Sequence, residues 1–350
     1  MGRRILWASL ALAPVTILVD QFANPGKTTL FVLSAAALIP LAWLIGESTE
    51  HAAEHTGAGI GGFLNASFGN APELIIALFA VADGLPQVVR GSLAGSVISN
   101  LLLVFGLTLV VGPEKTIDLR SLSAQLGLVA LAVVALVPLV VLGYTGSGPE
   151  RHTVVVLSIP IAVALLAVYL TVTYRNLRRH HRLQEEAIRK HPRDAAWSLP
   201  TALVVLGIAT VFTALVSEIL VHSLAAFSDA AGLSEFFVAA VILAIVGNAA
   251  EHGGALVIAH AGDMRLASEI AISSSAQVAL LVAPVVMLVS LAFADPLPLT
   301  FRWEELVALA GAVLLALQTI RDGRTTKLEG VMLLVGYLVV VAGFFVAGNR

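Results

Sequence analysis

GNAPELIIA, residues 69–77, returns 178 residues later as GNAAEHGGA, residues 247–255, with five of nine positions identical. Two further signals keep the same order around each copy. Ser48-Thr49-Glu50 precedes the first and Val216-Ser217-Glu218 precedes the second. Downstream come two small-polar stretches at matching offsets, Gly95-Ser96-Val97-Ile98-Ser99-Asn100 and Ser273-Ser274-Ser275-Ala276-Gln277-Val278. Three signals in one order mark an internal duplication.

The background of these motifs decides the solvent. Of the 350 residues, 58% are hydrophobic and 12% charged, with a mean hydropathy of +0.93. A soluble domain carries roughly twice that charge. Crossing the hydrocarbon core takes about 20 mostly apolar residues in a helix. Eleven such stretches are legible, near 5–22, 28–46, 58–82, 88–111, 121–143, 152–173, 198–222, 235–260, 267–293, 303–320 and 328–347. The expected fold is therefore an all-α integral membrane protein of about 11 transmembrane helices. Net charge is −3, which argues against a nucleic-acid partner. The absence of cysteine removes disulfides, thiolate metal sites and cysteine nucleophiles.

The motif copies divide these spans into two sets of five, helices 2–6 and 7–11, behind an extra N-terminal helix. An odd number of spans per copy puts the second copy into the bilayer the opposite way up, the inverted repeat of secondary transporters. The expected organisation is residues 1–27 for the extra helix, 28–174 for the first repeat, 175–197 for a basic cytoplasmic linker and 198–350 for the second repeat. The Met-Gly-Arg-Arg start is read as a retained helix rather than a cleaved signal, because its apolar run is long and no small-x-small site follows. With the N-terminus inside, fifteen of the twenty Lys and Arg fall on the cytoplasmic side, as the positive-inside rule requires. Seven of them lie in the 174–198 segment, where His180 and His181 stand among arginines and make a poor cation site. A prokaryotic plasma membrane is the expected location, the lipid bilayer is one partner, and a homo-oligomer is left open.

Inside apolar spans a carboxylate is costly and marks an ion pathway by default. Glu73 and Glu251 are such carboxylates, at equivalent repeat positions. Asn70 with Glu73, and Asn248 with Glu251, are spaced three apart and share a helix face. Gly69, Gly247 and Pro72 suit a broken helix, whose freed carbonyls are tolerated where they line a cavity. Carboxylate, amide and carbonyl oxygens are the ligands Ca²⁺ prefers. Ser96, Ser99, Asn100, Ser274, Ser275 and Gln277 would add oxygens, orient the glutamates or simply pack helices. Two glutamates are neutralised by one divalent cation or by two protons, so the two compete at one site. His252 is read as a proton relay beside Glu251 or as an ordinary hydrogen-bonding neighbour.

The polar segment GESTEHAAEHTG, 46–57, puts Glu47, Glu50 and Glu54 on one helix face. It reads as a cation entrance or proton relay, or as a helix end at the interface. Glu218 with His222 is its weaker counterpart on the far side. His51-Ala52-Ala53-Glu54-His55 also matches the H-x-x-E-H zinc-protease pattern. A membrane metalloenzyme using His51, Glu54 and His55 is thus a rival from another class, though the second repeat lacks the pattern.

These residues resemble the cation/proton exchanger branch of the Ca²⁺/cation antiporter superfamily. The resemblance is carried by Thr49-Glu50, GGFLNASFGNAPELIIA (61–77), GSLAGSVISNLLLVFG (91–106), SEFFVAAVILAIVGNAAEH (234–252) and SSSAQVALLVAP (273–284). It implies eleven helices in two inverted halves, with Glu73 and Glu251 as the central cation and proton carboxylates. It further implies Asn70 and Asn248 as the motif asparagines, Ser96, Ser99, Ser274 and Gln277 as companions, and His252 as the histidine beside the second carboxylate. Ser273 replaces a usual glycine, and 175–193 is basic where the family often carries an acidic helix. The expected activity is exchange of cytoplasmic Ca²⁺ for protons by alternating access, without a cofactor and without enzyme chemistry. Na⁺ or K⁺ exchange against protons at the same carboxylates is the nearest alternative, and an ion channel the next.

Overall fold

The computed structural model describes residues 2–23, 25–144, 151–190 and 197–348, without the side chains of 2–3, 57–63, 65–66, 143–144, 151 and 176–190. His180 and His181 belong to that last group, and 191–196 of the expected linker lie outside the described residues.

The chain begins with α1 (Gly2–Ser9) and α2 (Leu12–Leu18), continued by a π-helical turn at Val19–Ala23. α3 then runs unbroken from Lys27 to Gly69, and α4 follows as Ala71–Ala82. α5 (Pro86–Ile98) passes through a π-helical segment, Ser99–Val104, into α6 (Phe105–Val111). α7 (Leu119–Tyr144) and α8 (Arg151–Lys190) complete the first half. The second half repeats the plan: α9 (Leu199–Ala231), then α10 (Glu235–Phe237), a π-helical segment at Val238–Leu243 and α11 (Ala244–Gly247), then α12 (Ala249–His260). α13 (Met264–Gln277), a fourth π-helical segment at Val278–Val282, α14 (Ala283–Ser290), α15 (Trp303–Ile320) and α16 (Lys327–Gly348) close the chain.

Nearly pure helix follows from the solvent, since in hydrocarbon every backbone polar group must be satisfied within its own segment. Among the described residues nine helices are long and apolar enough to cross a membrane, or ten with the bent pair Glu235–Gly247 and Ala249–His260 taken as one span. The remaining expected span, 58–82, is the end of α3 together with α4. It is not separated from the second span, because the polar 46–57 segment continues the helix instead of ending it. The outside is apolar where lipid would lie: Val204, Ile208 and Val211 on α9 and Val335, Leu338 and Val339 on α16 are all exposed.

Small residues let the helices approach closely, as membrane packing requires. A Cβ on Gly95 would collide with the Ala240 carbonyl, and one on Gly91 would sit 2.8 Å from the Phe236 carbonyl. α5 therefore lies directly on the segment that leads to Asn248. α6 and α16 cross glycine on glycine, a Gly330 Cβ falling 2.8 Å from the Gly106 carbonyl. The long helices α3 and α9 pack along one another, and each also packs on the other half's broken helix, α9 on α4 and α3 on α12. The halves are thus interlocked at their motifs rather than lying side by side.

The polar turns sort into two groups. Arg265 pairs with Asp118 at 2.8 Å, Lys115 donates to the Gly262 carbonyl at 2.8 Å, and Thr116 bridges to Arg324. A second group joins Asp83 to His222 at 3.2 Å and Gln87 to Glu235 at 2.6 Å. Trp7 and Trp197 meet α3 near Trp43 and His51. Trp7 stands edge-on to Trp43 at 5.5 Å, and His51 stacks on Trp197 at 4.7 Å.

Candidate cation site

Both motif copies break their helix at the asparagine, with nearly the same backbone. Asn70 has φ −97° and ψ 15°, and Asn248 has φ −92° and ψ 9°. These values lie in the sparsely used bridge region, where a helix stops and a new one can begin. The new helix starts at once, as Leu74 N–H donates to the Asn70 carbonyl at 3.0 Å and His252 N–H to the Asn248 carbonyl at 2.9 Å. In the second copy the two pieces bend by 57°. Glu73 and Glu251 consequently sit in the first turns of α4 and α12, where the helix dipole favours negative charge.

The glutamates cross over between repeats. A Cβ on Gly247 would lie 3.2 Å from Glu73 Cγ and 3.7 Å from its Oε1; a Cβ on Gly69 would lie 3.6 Å from Glu251 Oε1. Each carboxylate side chain thus rests on the motif glycine of the other half. Glu73 is buried and Glu251 half-buried, and the Oε2 atom of each is buried without a hydrogen-bond partner among the described residues. Unpartnered buried carboxylate oxygens are costly and call for a proton or a cation. Carboxylate and amide oxygens together suit a hard cation.

The polar companions tie the two halves around this pair. Asn70 Nδ2 donates to Gln277 Oε1 at 2.6 Å. Asn248 Nδ2 donates to Ser96 Oγ and to the Ala244 carbonyl, both at 2.9 Å. Ser274 Oγ accepts from Asn100 Nδ2 at 2.9 Å, and His252 Nε2 lies 2.9 Å from Asn100 Oδ1. Ser99 is buried but turned into its own helix, donating to the Ser96 carbonyl at 3.2 Å. Ser273, at the departure from the family pattern, likewise donates to its own helix, at Ile270. Sequence reasoning grouped Asn100 with the general polar companions and missed that it is a hub. Its one distinguishing signal is that the matching position in the second repeat is Val278.

The other expected residues lie apart from this centre. Glu50 and Glu218 are exposed on α3 and α9. Glu54 stands 3.7 Å from His51 Nδ1, and Glu47 stands 3.6 Å from His51 Nε2. His222, read with Glu218 as the far-side counterpart of the acidic segment, pairs with Asp83 at 3.2 Å. The H-x-x-E-H residues do not converge: His51 stacks on Trp197, and His55 Nε2 bonds the Trp197 carbonyl at 2.6 Å. Among the described residues no group of three or more His, Cys, Asp or Glu could hold a metal ion.

Inverted halves, discontinuous helices and a buried carboxylate pair where they interlock define an integral membrane exchanger. A family model described as "Sodium/calcium exchanger protein" matches residues 27–178 and again 201–346, and the chain belongs to that family. It is 36% identical to the Ca(2+)/H(+) antiporter ChaA of Bacillus subtilis, over 98% of this chain and 99% of that protein. It is also 36% identical to the vacuolar calcium ion transporter of Schizosaccharomyces pombe, over 96% of this chain and 83% of that protein. Among solved structures, native YfkE matches with a TM-score of 0.83 and 34% identity, over 97% of this chain and 99% of that one.

Proposed function

We propose that this chain exchanges cytoplasmic Ca²⁺ for protons by alternating access, with Glu73 and Glu251 holding either one cation or two protons. One observation carries the reading: two carboxylates, one from each inverted repeat, are interleaved across the repeat boundary with an unpartnered oxygen apiece. The functions of the related Ca(2+)/H(+) antiporters and the vacuolar calcium ion transporter support the substrates, and these relatives are transporters rather than enzymes. Asn70, Asn248, Ser96, Ser274 and Gln277 would supply further oxygens or hold the carboxylates in place. With both glutamates ionised and nothing bound, the site carries two charges in a low dielectric, a state costly enough to suppress movement without cargo. Transit then requires either cargo to be aboard, which is the coupling rule of an exchanger.

The proposed location is a plasma membrane with the N-terminus cytoplasmic. The polar turns support this orientation, since Lys115, Arg265 and Arg324, all assigned to the inside by charge, gather in one contact group.

The test is Ca²⁺-driven proton movement in proteoliposomes, with wild type beside Glu73→Gln and Glu251→Gln. The expected result is a Ca²⁺-dependent pH change that both variants lose. A wild type that answers only to Na⁺ or K⁺ would overturn the cation, and fully active variants would overturn the carboxylate mechanism.

A further inference from the structure

The two motif copies are matched at the glutamate, the asparagine and the glycine, but not beside them. His252 and Asn100 occupy positions whose counterparts 178 residues away are Leu74 and Val278. Both are buried and in contact with each other, so one residue from each half joins in a polar pair, while the two repeat-related positions carry apolar side chains. Position alone does not say what the pair does; hydrogen-bond polarity does.

The chain of bonds has a fixed starting point. The Ala244 carbonyl can only accept, so the atom of Asn248 that faces it at 2.9 Å is the amide nitrogen. The same nitrogen gives its other hydrogen to Ser96 Oγ. Asn248 Oδ1 is then an acceptor, and Asn100 meets it at 3.3 Å with its own amide nitrogen. That nitrogen's second hydrogen goes to Ser274 Oγ at 2.9 Å. Asn100 is left with only its carbonyl oxygen, and this is the atom 2.9 Å from His252 Nε2. An acceptor there requires a hydrogen on Nε2 in either charge state of the ring. Asn248 and Asn100 have by this point spent every amide hydrogen, so the order cannot be reversed without leaving two oxygens face to face. Ser274, having accepted from Asn100, directs its own hydrogen to Asn248 Oδ1 at 3.5 Å.

We propose that Asn100 is a positioning residue that holds His252 Nε2 permanently as a hydrogen-bond donor, so that Nε2 carries no proton between Glu251 and the solvent. The proposal rests on the exchange reading for its functional consequence, but the bond polarity stands on geometry alone. The ring acts on that side as a fixed strut, and only Nδ1 is free to accept a hydrogen. The same hub ties Ser274 to Asn248, which in turn donates to Ser96. The network therefore surrounds the second carboxylate, while beside the first Asn70 donates to Gln277.

Nitrogen-15 NMR of histidine-labelled full-length protein reads the ring directly, with His252→Gln identifying the signal. Wild type is expected to show the Nε2–H form. Asn100→Asp keeps an acceptor at that place and should keep this form, whereas Asn100→Leu should give a mixture with the Nδ1–H form. An Nδ1–H ring in wild type, or no difference between the two variants, overturns the proposal. Proteoliposome exchange provides the second readout. His252→Leu should lose roughly tenfold or more in Ca²⁺-driven proton movement, the scale of a lost buried hydrogen bond. His252→Gln, which offers an amide donor but cannot carry a proton, should recover most of that loss. If His252→Gln is as defective as His252→Leu, the ring is a proton carrier and the proposal fails. If wild type exchanges no cation while the Nε2–H signal is present, the exchange reading fails and the assignment of bond polarity survives.

Discussion

Replacing each motif glycine by alanine separates the two crossings. A methyl group on Gly247 would stand 3.2 Å from Glu73 Cγ and 3.5 Å from Cδ. Carbon pairs sit comfortably at about 3.5–4.0 Å, so Glu73 must retreat by roughly 0.3–0.8 Å from its place. A misplacement of ~1 Å in a positioned reacting group costs about a hundredfold, and half of that displacement corresponds to about tenfold, or ~1.4 kcal/mol. The methyl group on Gly69 would stand 3.6 Å from Glu251 Oε1, an ordinary contact that displaces nothing. Gly247→Ala should therefore lower Ca²⁺-driven proton movement about tenfold and Gly69→Ala no more than about threefold. Neither should lower the melting temperature in detergent, because alanine favours helix over glycine by up to ~1 kcal/mol. Equal losses in both variants, or a greater loss in Gly69→Ala, would refute the crossed arrangement. A large drop in melting temperature would assign the loss to folding rather than to the carboxylate.

Competition at one site gives a signed pH dependence. Half-saturating Ca²⁺ should rise as pH falls, by up to ~100-fold per unit where two protons must leave for each cation, and pH-independent binding by isothermal titration would sink the shared-site model. Gly95→Val places side-chain atoms into the Ala240 carbonyl, so the expected outcome is a loss of ~2 kcal/mol or more of stability, or no folded protein; a normal melting temperature would contradict the close packing of α5 on Val238–Leu243. His51→Ala with His55→Ala removes the stack on Trp197 and the bond to its carbonyl. That should cost at most ~2 kcal/mol of stability and leave exchange largely intact, whereas abolished exchange would bring these histidines into the ion path.

The membrane reading was legible because apolar length is a direct measure of bilayer thickness, and α5, α7, α8 and α9 each begin within a few residues of the start of an apolar run. The helix breaks were legible for a similar reason: glycine followed by asparagine inside an apolar span has no packing advantage and a clear conformational one. The second boundary was harder to read. Glu47, Thr49, Glu50, Glu54 and Thr56 look like the end of a span, yet none of them stops a helix, and α3 runs to Gly69. What terminates a transmembrane helix in sequence is a change of solvent, whereas here the backbone continues past that change. The cross-repeat partners were not legible at all. Asn70 with Gln277 and Asn100 with Ser274 are joined across 207 and 174 residues, and no local pattern carries that register. His51 and His55 illustrate the opposite case, a motif-like spacing without the matching geometry, for the His51 ring stacks on Trp197 and His55 bonds its carbonyl.

The crossing of the glutamates has a consequence for coupling. If each repeat formed a complete site by itself, one half could load an ion while the other stayed empty, and a single proton would satisfy either. Here the groove that accommodates Glu73 is made by Gly247, and the one that accommodates Glu251 is made by Gly69. Moving one half relative to the other therefore changes the surroundings of both carboxylates together. A cargo that neutralises only one leaves the other as an uncompensated buried charge, with a cost of several kcal/mol. Under the proposed exchange reading, one divalent cation or two protons are the loads that would satisfy both, and the interlocking of the repeats would couple the two carboxylates to a single load.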